Sequence, residues 1–560
     1  MRKSHHNHIL AGTALAVVLA IPVGAMAIDL NKLAFAPVTA TPAEQAPAQA
    51  AIAAAIQPAT ELPGRDLPAV SVETPASPAP AIEQAAPVDP LAALDPADRA
   101  VAEKLRDLLA TKADKLFAGK KERAAVEAFY QNRNSAPFWL DQGALNARAE
   151  AVIARMKGAD ADGLEPSEYK APNFAGLAPD ALAEAELKLT RTVLTYARHL
   201  QAGRFPYSRV SRNVELPQAA PEPADILQRV ANAADAGKAL DAYAPQQEPY
   251  RKLKAILADL RKAGAVKGGQ IDTIVANMER WRWYQRDLGN AHVLVNLPDF
   301  TLKVMHNGQQ AWTTRIVIGK PSMATPLLSE TMKYITVNPT WHVPQSIVQN
   351  EYLPALAQDP TVLERMGLRV SYVGGRTEIT QPPGEGNALG RIRFNFPNRF
   401  SVYHHDTQDK HLFAQDFRAY SHGCMRVQNP LTYGEKLLSL VLPNEHYTEA
   451  RLEEMFGGSE ININFPKFVP VHLTYQTAFV DDHGKLQLRE DVYGRDARMI
   501  AILKGSERKV ADIAIERHPN TSSKPVRMPV GLYGDRGYYS GPRYSGGGYS
   551  GPSFLDFFSR

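Results

Sequence analysis

What the chain lacks narrows its chemistry first. It holds a single cysteine, Cys424, in 560 residues. No internal disulfide and no paired-cysteine metal or redox motif is therefore possible, and the thiol is a buried small apolar residue, an intermolecular partner or a free reactive group. No HExxH pattern and no internal repeat is present. After the first few dozen residues, no apolar run is long enough to span a bilayer. An excess of one charge is lacking too: 63 Lys and Arg stand against 59 Asp and Glu, a formal net charge of +4. That leaves no large cationic field for nucleic acid, which is not expected as a partner, while the mild basicity suits an anionic polymer.

What is present is ordinary globular composition, 44% hydrophobic and 22% charged, on a chain long enough for two or three domains plus tails. Residues 1–27 read as a secretory signal. Arg2 and Lys3 precede an apolar stretch from Ile9 to about Val23, and Ala25-Met26-Ala27 offers small residues for cleavage. Export is the expected fate, with membrane association only if the segment stays uncleaved. Residues 28–95 are rich in alanine and proline and read as a disordered tether.

From Asp95 to about Leu200 apolar residues recur at helical spacing, through Val101, Leu105 and Leu108 and again through Val126, Phe129 and Tyr130. Residues 96–275 are expected to form a helical scaffold. Pro137-Phe138-Trp139-Leu140-Asp141 and Asp162-Gly163-Leu164-Glu165-Pro166 would lock its helices together. A helix from Ile271 to Trp283 ends in Asn277-Met278-Glu279-Arg280-Trp281-Arg282-Trp283, whose aromatic and cationic content suits a seam between domains.

At His292 the period changes to two. His292–Leu297, Thr301–Met305 and Trp312–Ile318 are expected strands, with Asn307-Gly308 as a hairpin turn. A sheet-rich domain is expected over 276–500, interrupted at 342–400 by an insertion with a short helix around Asn350–Leu356 and a Gly/Pro-rich loop. An insertion of that length reads as a cover over a cleft. Leu431–Leu440 is an expected helix. Val471–Tyr475 and Lys485–Leu488 are expected as strands flanking the turn Asp481-Asp482-His483-Gly484. Residues 501–560 are low in complexity, rich in Gly and Tyr, and read as a flexible tail.

The chemistry concentrates in Tyr403-His404-His405-Asp406-Thr407 and Tyr420-Ser421-His422-Gly423-Cys424-Met425-Arg426-Val427. An imidazole within reach of a thiol can take its proton, and nearby cations favour thiolate. Gly423 permits a sharp turn and close approach of a substrate, and backbone amides at such a turn can hold an oxyanion. A zinc site from His404, His405, His411, His422 and Cys424 is the weaker reading, because adjacent His404 and His405 point to opposite faces of a strand. No cofactor is expected.

At these residues the sequence resembles the L,D-transpeptidases with a YkuD-type catalytic domain, marked by a histidine followed within two dozen residues by Ser-His-Gly-Cys and an arginine or asparagine two further on. Here His405 precedes Cys424 by nineteen residues and SHGCMR fits. The stretches at 277–283, 387–398, 403–407 and 471–494 resemble the large periplasmic branch typified by YcbB. The resemblance implies an α+β fold, a helical scaffold plus a β-sandwich-like catalytic domain with a capping insertion. That branch commonly carries a small peptidoglycan-binding domain before the NMERWRW stretch, but Lys262–Asp272 leaves no room for one.

The same resemblance implies the roles. Cys424 would attack the carbonyl between meso-diaminopimelate and D-alanine in a peptidoglycan stem tetrapeptide, and His405 would take the thiol proton. An acceptor amine would complete a 3-3 cross-link in the periplasm, at the cell wall. Gly423 and Cys424 amides with the Tyr403 hydroxyl would form the oxyanion site. Arg426 would orient the loop or pair with a substrate carboxylate, His422 would fix the loop, and Asp406 and Ser421 would position the imidazole or the loop. Attachment of an outer-membrane protein to peptidoglycan, trimming as an L,D-carboxypeptidase, and a noncatalytic wall-binding scaffold are the alternatives.

Overall fold

The computed structural model describes residues 91–117, 119–264 and 269–506, all within one compact unit. The expected signal segment, the tether up to residue 90 and the tail beyond 506 lie outside the described residues.

The helical part contains α1 (Pro96–Leu116), α2 (Lys120–Gln131), the hairpin of β1 (Leu140–Asp141) and β2 (Ala144–Leu145), α3 (Ala147–Lys157) and α4 (Pro179–Ala202). After β3 (Val214–Glu215) come α5 (Pro223–Asn232), α6 (Ala236–Ala239), α7 (Glu248–Ala263) and α8 (Gln270–Trp281). Asp95 starts α1 by accepting from the Ala97 N–H at 2.9 Å, with Pro96 where a helix needs no donor. The apolar periodicity buries Val101, Leu105, Val126, Tyr130, Leu189, Val193 and Leu200 in one core. Trp139 joins that core, and the Phe138 and Trp139 N–H groups donate to the buried Glu186 of α4 at 2.5 and 3.1 Å. The Pro137–Asp141 segment thus locks α2 and α4.

A second core takes in Phe205, Val210, Val214 and Leu216 and continues from α7 onward. Tyr250, Leu253 and Leu257, with Ile274, Met278, Trp281 and Trp283, pack together with Val293, Val295, Leu302 and Val304 of the sheet. Residues on both sides of α7 therefore join the sheet's core. In the Asn277–Trp283 seam Arg282, fully buried, donates to Glu279 at 2.7 Å, to the Tyr250 hydroxyl at 3.2 Å and to the Asp162 carbonyl. Asp162 in turn holds Arg155 and Lys254, each at 2.6 Å. Glu279 also accepts from the Arg204 N–H at 2.5 Å. Gly203 ends α4 with φ +87°, where a Cβ would stand 2.7 Å from the Glu279 carboxylate. Such a seam tolerates buried charge only because every charge has a partner.

The strands that follow are β4 (Ala291–Asn296), β5 (Thr301–His306), β6 (Gln309–Gly319), β7 (Leu327–Val337), β8 (Trp341–His342), β9 (Arg369–Val373), β10 (Arg376–Gln381), β11 (Ile392–Asn395), β12 (His404–His405), β13 (Ala419–Ser421), β14 (Met425–Val427) and β15 (Ile461–Thr474), of which β8, β9 and β10 form a small sheet of their own. The main strands pair in the order β11-β12-β14-β6-β5-β4-β15-β7-β3, and β11 also pairs with β7. The sheet thereby closes on itself, and its sandwich-like layering comes from one continuous surface wrapped around the second core. The helix Pro430–Val441 covers it with Tyr433, Leu437 and Leu438.

Three expectations shift. Val471–Tyr475 does not flank the Asp481–Gly484 turn; it closes the long β15, parallel to β4 and antiparallel to β7, and the turn joins β16 (Ala478–Val480) to β17 (Leu486–Leu488). The run of Val471, Leu473 and Tyr475 is fully buried, which suits a central strand better than a surface hairpin. The insertion ends before β11, because Ile392–Asn395 pairs with β7 and β12. Its own small core contains Val348, Tyr352, Leu363 and Ile379 beside the sheet β8-β10-β9. The last helix, Arg495–Leu503, runs past residue 500 because Met499 and Ile502 are in the core.

Removing Glu279 would leave Arg282 buried without its carboxylate. Glu279→Ala is expected to lower unfolding stability by about 3–5 kcal/mol, read as a lower urea midpoint, whereas truncating the exposed Glu184 should change it little.

Candidate active site

The site rests on the parallel pairing of β12 with β14, in register His404 to Met425 and His405 to Arg426. The Met425 N–H donates to the Tyr403 carbonyl at 3.1 Å, which sets Tyr403 beside Cys424. Alternation along β12 puts Tyr403 and His405 on one face and His404 on the other. His404 points into the core, its Nδ1 3.1 Å from the Tyr433 hydroxyl and its ring against Phe396. Burial pushes its basicity down to about 3. It therefore stands apart from the thiol, as the alternation argument required, and among the described residues no group of three His, Cys, Asp or Glu is arranged to hold a metal ion.

Cys424 lies half-buried in a cleft of about 130 Å³ whose lining includes Trp341, Ser401, Tyr403, His405 and His422. Tyr403 and Trp341 line the same cleft, and the polar groups of Tyr403 act to favour the charged form of the sulfur. The thiol makes a weak contact, 3.8 Å, with the carbonyl of Ser401, a residue held at φ +54°. Burial dominates over Tyr403 and pushes the Cys424 thiol up to about 11.

His405 Nδ1 lies 2.5 Å from the Asp406 carbonyl. A carbonyl only accepts, so Nδ1 carries the proton and Nε2 keeps its lone pair. Burial, assisted by the Arg426 cation, lowers its basicity to about 3, so the ring is neutral at physiological pH. His405 and Cys424 share the cleft without a direct hydrogen bond between them. Both groups are in their uncharged forms.

The turn around Cys424 is held from beneath. Ser421 Oγ donates to the Cys424 carbonyl at 2.5 Å and accepts from the Gly423 N–H at 3.2 Å. Thr325 Oγ1 donates to the Gly423 carbonyl at 2.8 Å and accepts from the Gly319 N–H at 2.9 Å. Gly423 has φ +118°, which favours glycine. A Cβ on Gly319 would fall 3.0 Å from the Gly423 Cα and on top of the Met323 carbonyl.

The other expected site residues are placed as follows. The Gly423 N–H is bonded to Ser421 Oγ, and Tyr403 lines the cleft beside Cys424. The Asp406 carboxylate does not touch the imidazole. It accepts from the Arg391 and Thr407 N–H groups at 3.0 and 2.7 Å and from Lys410, fixing the chain entering and leaving β12, while its backbone carbonyl holds His405. Arg426 is buried against Asp409 at 3.1 Å. His422 Nε2 meets Glu351 of the insertion at 2.9 Å. Glu351, Thr325, Gly319 and Asp409 carry no local sequence signal; only a known contact map connects them to Cys424.

The comparisons with known proteins agree with this layout. Residues 290–439 match the L,D-transpeptidase catalytic domain (YkuD), and residues 124–257 match a scaffold domain. The Haemophilus influenzae protein "Putative L,D-transpeptidase" is 25% identical over 399 residues, covering 66% of this chain and 78% of that one. Among solved structures, the Ldtfm–avibactam carbamoyl enzyme is 16% identical over 33% of this chain and 49% of its own, with a TM-score of 0.16. The L,D-transpeptidase from Mycobacterium smegmatis is 14% identical over 33% and 58%, with a TM-score of 0.17. The chain thus spans about half the length of these two structures, and scores so low carry no argument. The chain therefore carries an L,D-transpeptidase catalytic domain of the YkuD type. Ahead of it stands a scaffold domain, the same order as the helical part and the sheet described above. No helix among the described residues is long and apolar enough to cross a membrane.

A thiol held near 11 reacts slowly at neutral pH. Alkylation of Cys424 by iodoacetamide is expected to rise about tenfold per pH unit from pH 7 towards 10. A plateau near pH 7 would instead reveal a preformed thiolate.

Proposed function

We propose that the chain is a periplasmic peptidoglycan L,D-transpeptidase in which Cys424 is the nucleophile and His405 the general base, forming 3-3 cross-links through a cysteine acyl-enzyme. The observation that carries this reading is the single thiol sharing a cleft with an imidazole whose Nε2 is unprotonated. His422 is the poorer base, because its Nε2 is engaged by Glu351.

The sulfur attacks the carbonyl between meso-diaminopimelate and D-alanine as its proton passes to His405 Nε2, so charge develops only as the bond forms. Rotation of the thiol away from Ser401 brings the two groups together, a tightening common when substrate enters. The tetrahedral oxyanion is met by the Cys424 N–H, with the Gly423 N–H available if it releases Ser421. His405 returns the proton to the departing D-alanine nitrogen, leaving a thioester. An acceptor amine of a second stem peptide then attacks the thioester, loses its proton to His405 and restores the thiol. The polar groups of Tyr403 favour sulfur whenever it carries negative charge. Arg426, held by Asp409, lends positive potential without needing to contact substrate.

Imipenem, a carbapenem, is expected to add covalently to the wild type and leave Cys424→Ala unmodified by intact mass; no adduct on the wild type would sink the acyl-enzyme reading. His405→Ala should slow acylation by roughly 10²–10⁴, and His422→Ala by much less. Because His405 stays unprotonated above about 3 and the thiol stays protonated below about 11, the acylation rate should be level between roughly pH 5 and 9. Loss of 3-3 dimers from the muropeptides of a deletion strain would support cross-linking, whereas unchanged dimers would point to protein attachment or trimming.

A further inference from the structure

The insertion over the cleft reaches the nucleophile turn through one side chain. Glu351 lies in a five-residue π-helical turn, Val348–Tyr352, inserted between the helical segments Gln345–Ile347 and Leu353–Gln358. Such turns add a residue to the helical path and re-aim the side chains that follow. Here Val348 and Tyr352 are fully buried in the insertion's own core, while Glu351 lies against His422 with only 14% of each side chain exposed. Glu351 Oε1 is 2.9 Å from His422 Nε2, and Oε2 is buried without a hydrogen-bond partner. Lys320, whose N–H donates to the Ser421 carbonyl at 2.8 Å, also lies within the field of this carboxylate.

A carboxylate taken out of water with one oxygen unpaired is costly unless its remaining bond does something. That bond fixes the ring immediately before Gly423 and Cys424. From these contacts we propose that Glu351 is a positioning residue for the Cys424 turn, acting through His422, so that the cover and the nucleophile are set as one unit. A carboxylate oxygen accepts, so His422 donates from Nε2, and the ring plane is held by a group on a separately folded element. Ser421 and Thr325 fix the turn from below; Glu351 fixes it from the substrate side. When the cover is seated, the sulfur is aligned for attack. When the cover is displaced, the turn loses its upper restraint.

The proposal rests on the reading of Cys424 as nucleophile, and two measurements keep the two claims apart. In imipenem acylation, Glu351→Ala is expected to lower the maximal rate about ten- to a hundredfold while the half-saturating concentration changes by less than about threefold. Glu351→Gln, whose amide oxygen still accepts from Nε2, should recover most of the rate, whereas Glu351→Met, similar in length but without an acceptor, should not. Glu364→Ala, an exposed change in the same insertion, should behave as wild type. In parallel, iodoacetamide alkylation at pH 9 reports the setting of the thiol without any transpeptidase chemistry, and Glu351→Met should shift its rate where Glu351→Gln does not. A wild-type rate in Glu351→Ala, a loss confined to the half-saturating concentration, or equal behaviour of the Gln and Met variants would overturn the proposal. Failure of the wild type to react with imipenem would sink the acyl-enzyme reading alone, and the alkylation comparison would still decide the role of Glu351.

Discussion

The parallel pairing of two very short strands is the constraint from which the site follows. Parallel neighbours cannot be joined by a tight turn; the chain must cross over and return in the same direction. Between His405 and Cys424 that crossover runs through the short helical turn Lys410–Ala414 and β13, which itself lies parallel to β6. The nineteen-residue spacing is thus the length of a crossover connection, and backbone hydrogen bonds set the thiol and the imidazole on neighbouring strands. Arg426 and Asp409 pair at the ends of that same path, so a charge pair closes what the strands begin.

Polarity inside the cleft follows from burial more than from neighbouring charge. Arg426 would by itself favour thiolate, yet desolvation outweighs it and holds the thiol protonated; the same burial keeps the imidazole neutral. The pair at rest carries no charge, which suits a half-buried apolar cleft. Tyr403, beside the sulfur, favours its charged form and so opposes the effect of burial.

Much of this was legible in the sequence, for identifiable reasons. The helical scaffold announced itself by periodicity at Val101, Leu105 and Val126, and the opposite orientations of His404 and His405 followed from the two-residue repeat. The Asn277–Trp283 stretch was readable as a seam from its aromatic and cationic content. Val471–Tyr475 was misplaced because its alternating pattern suits either a hairpin or a central strand, and only pairing partners distant in sequence decide. Glu351 and Thr325 were illegible for a related reason: an ordinary glutamate and threonine acquire meaning only when folding brings them to Ser421–Cys424. Asp406 was expected to position the imidazole or the loop, and sequence does not tell that its backbone carbonyl meets the imidazole while its carboxylate holds the loop.

The closure of β11 onto β7 has a further effect on the segment between them. Val337 pairs with Ile392, and the Asn338 N–H donates to the Arg391 carbonyl at 2.9 Å, so the insertion leaves and rejoins the barrel at adjacent points. Its ends are already brought together by strands that exist without it, and the entropy of closing such an excursion grows only slowly with its length. The strands thus hold the insertion's two ends together independently of its contents, while Glu351 ties those contents to the turn that carries the thiol.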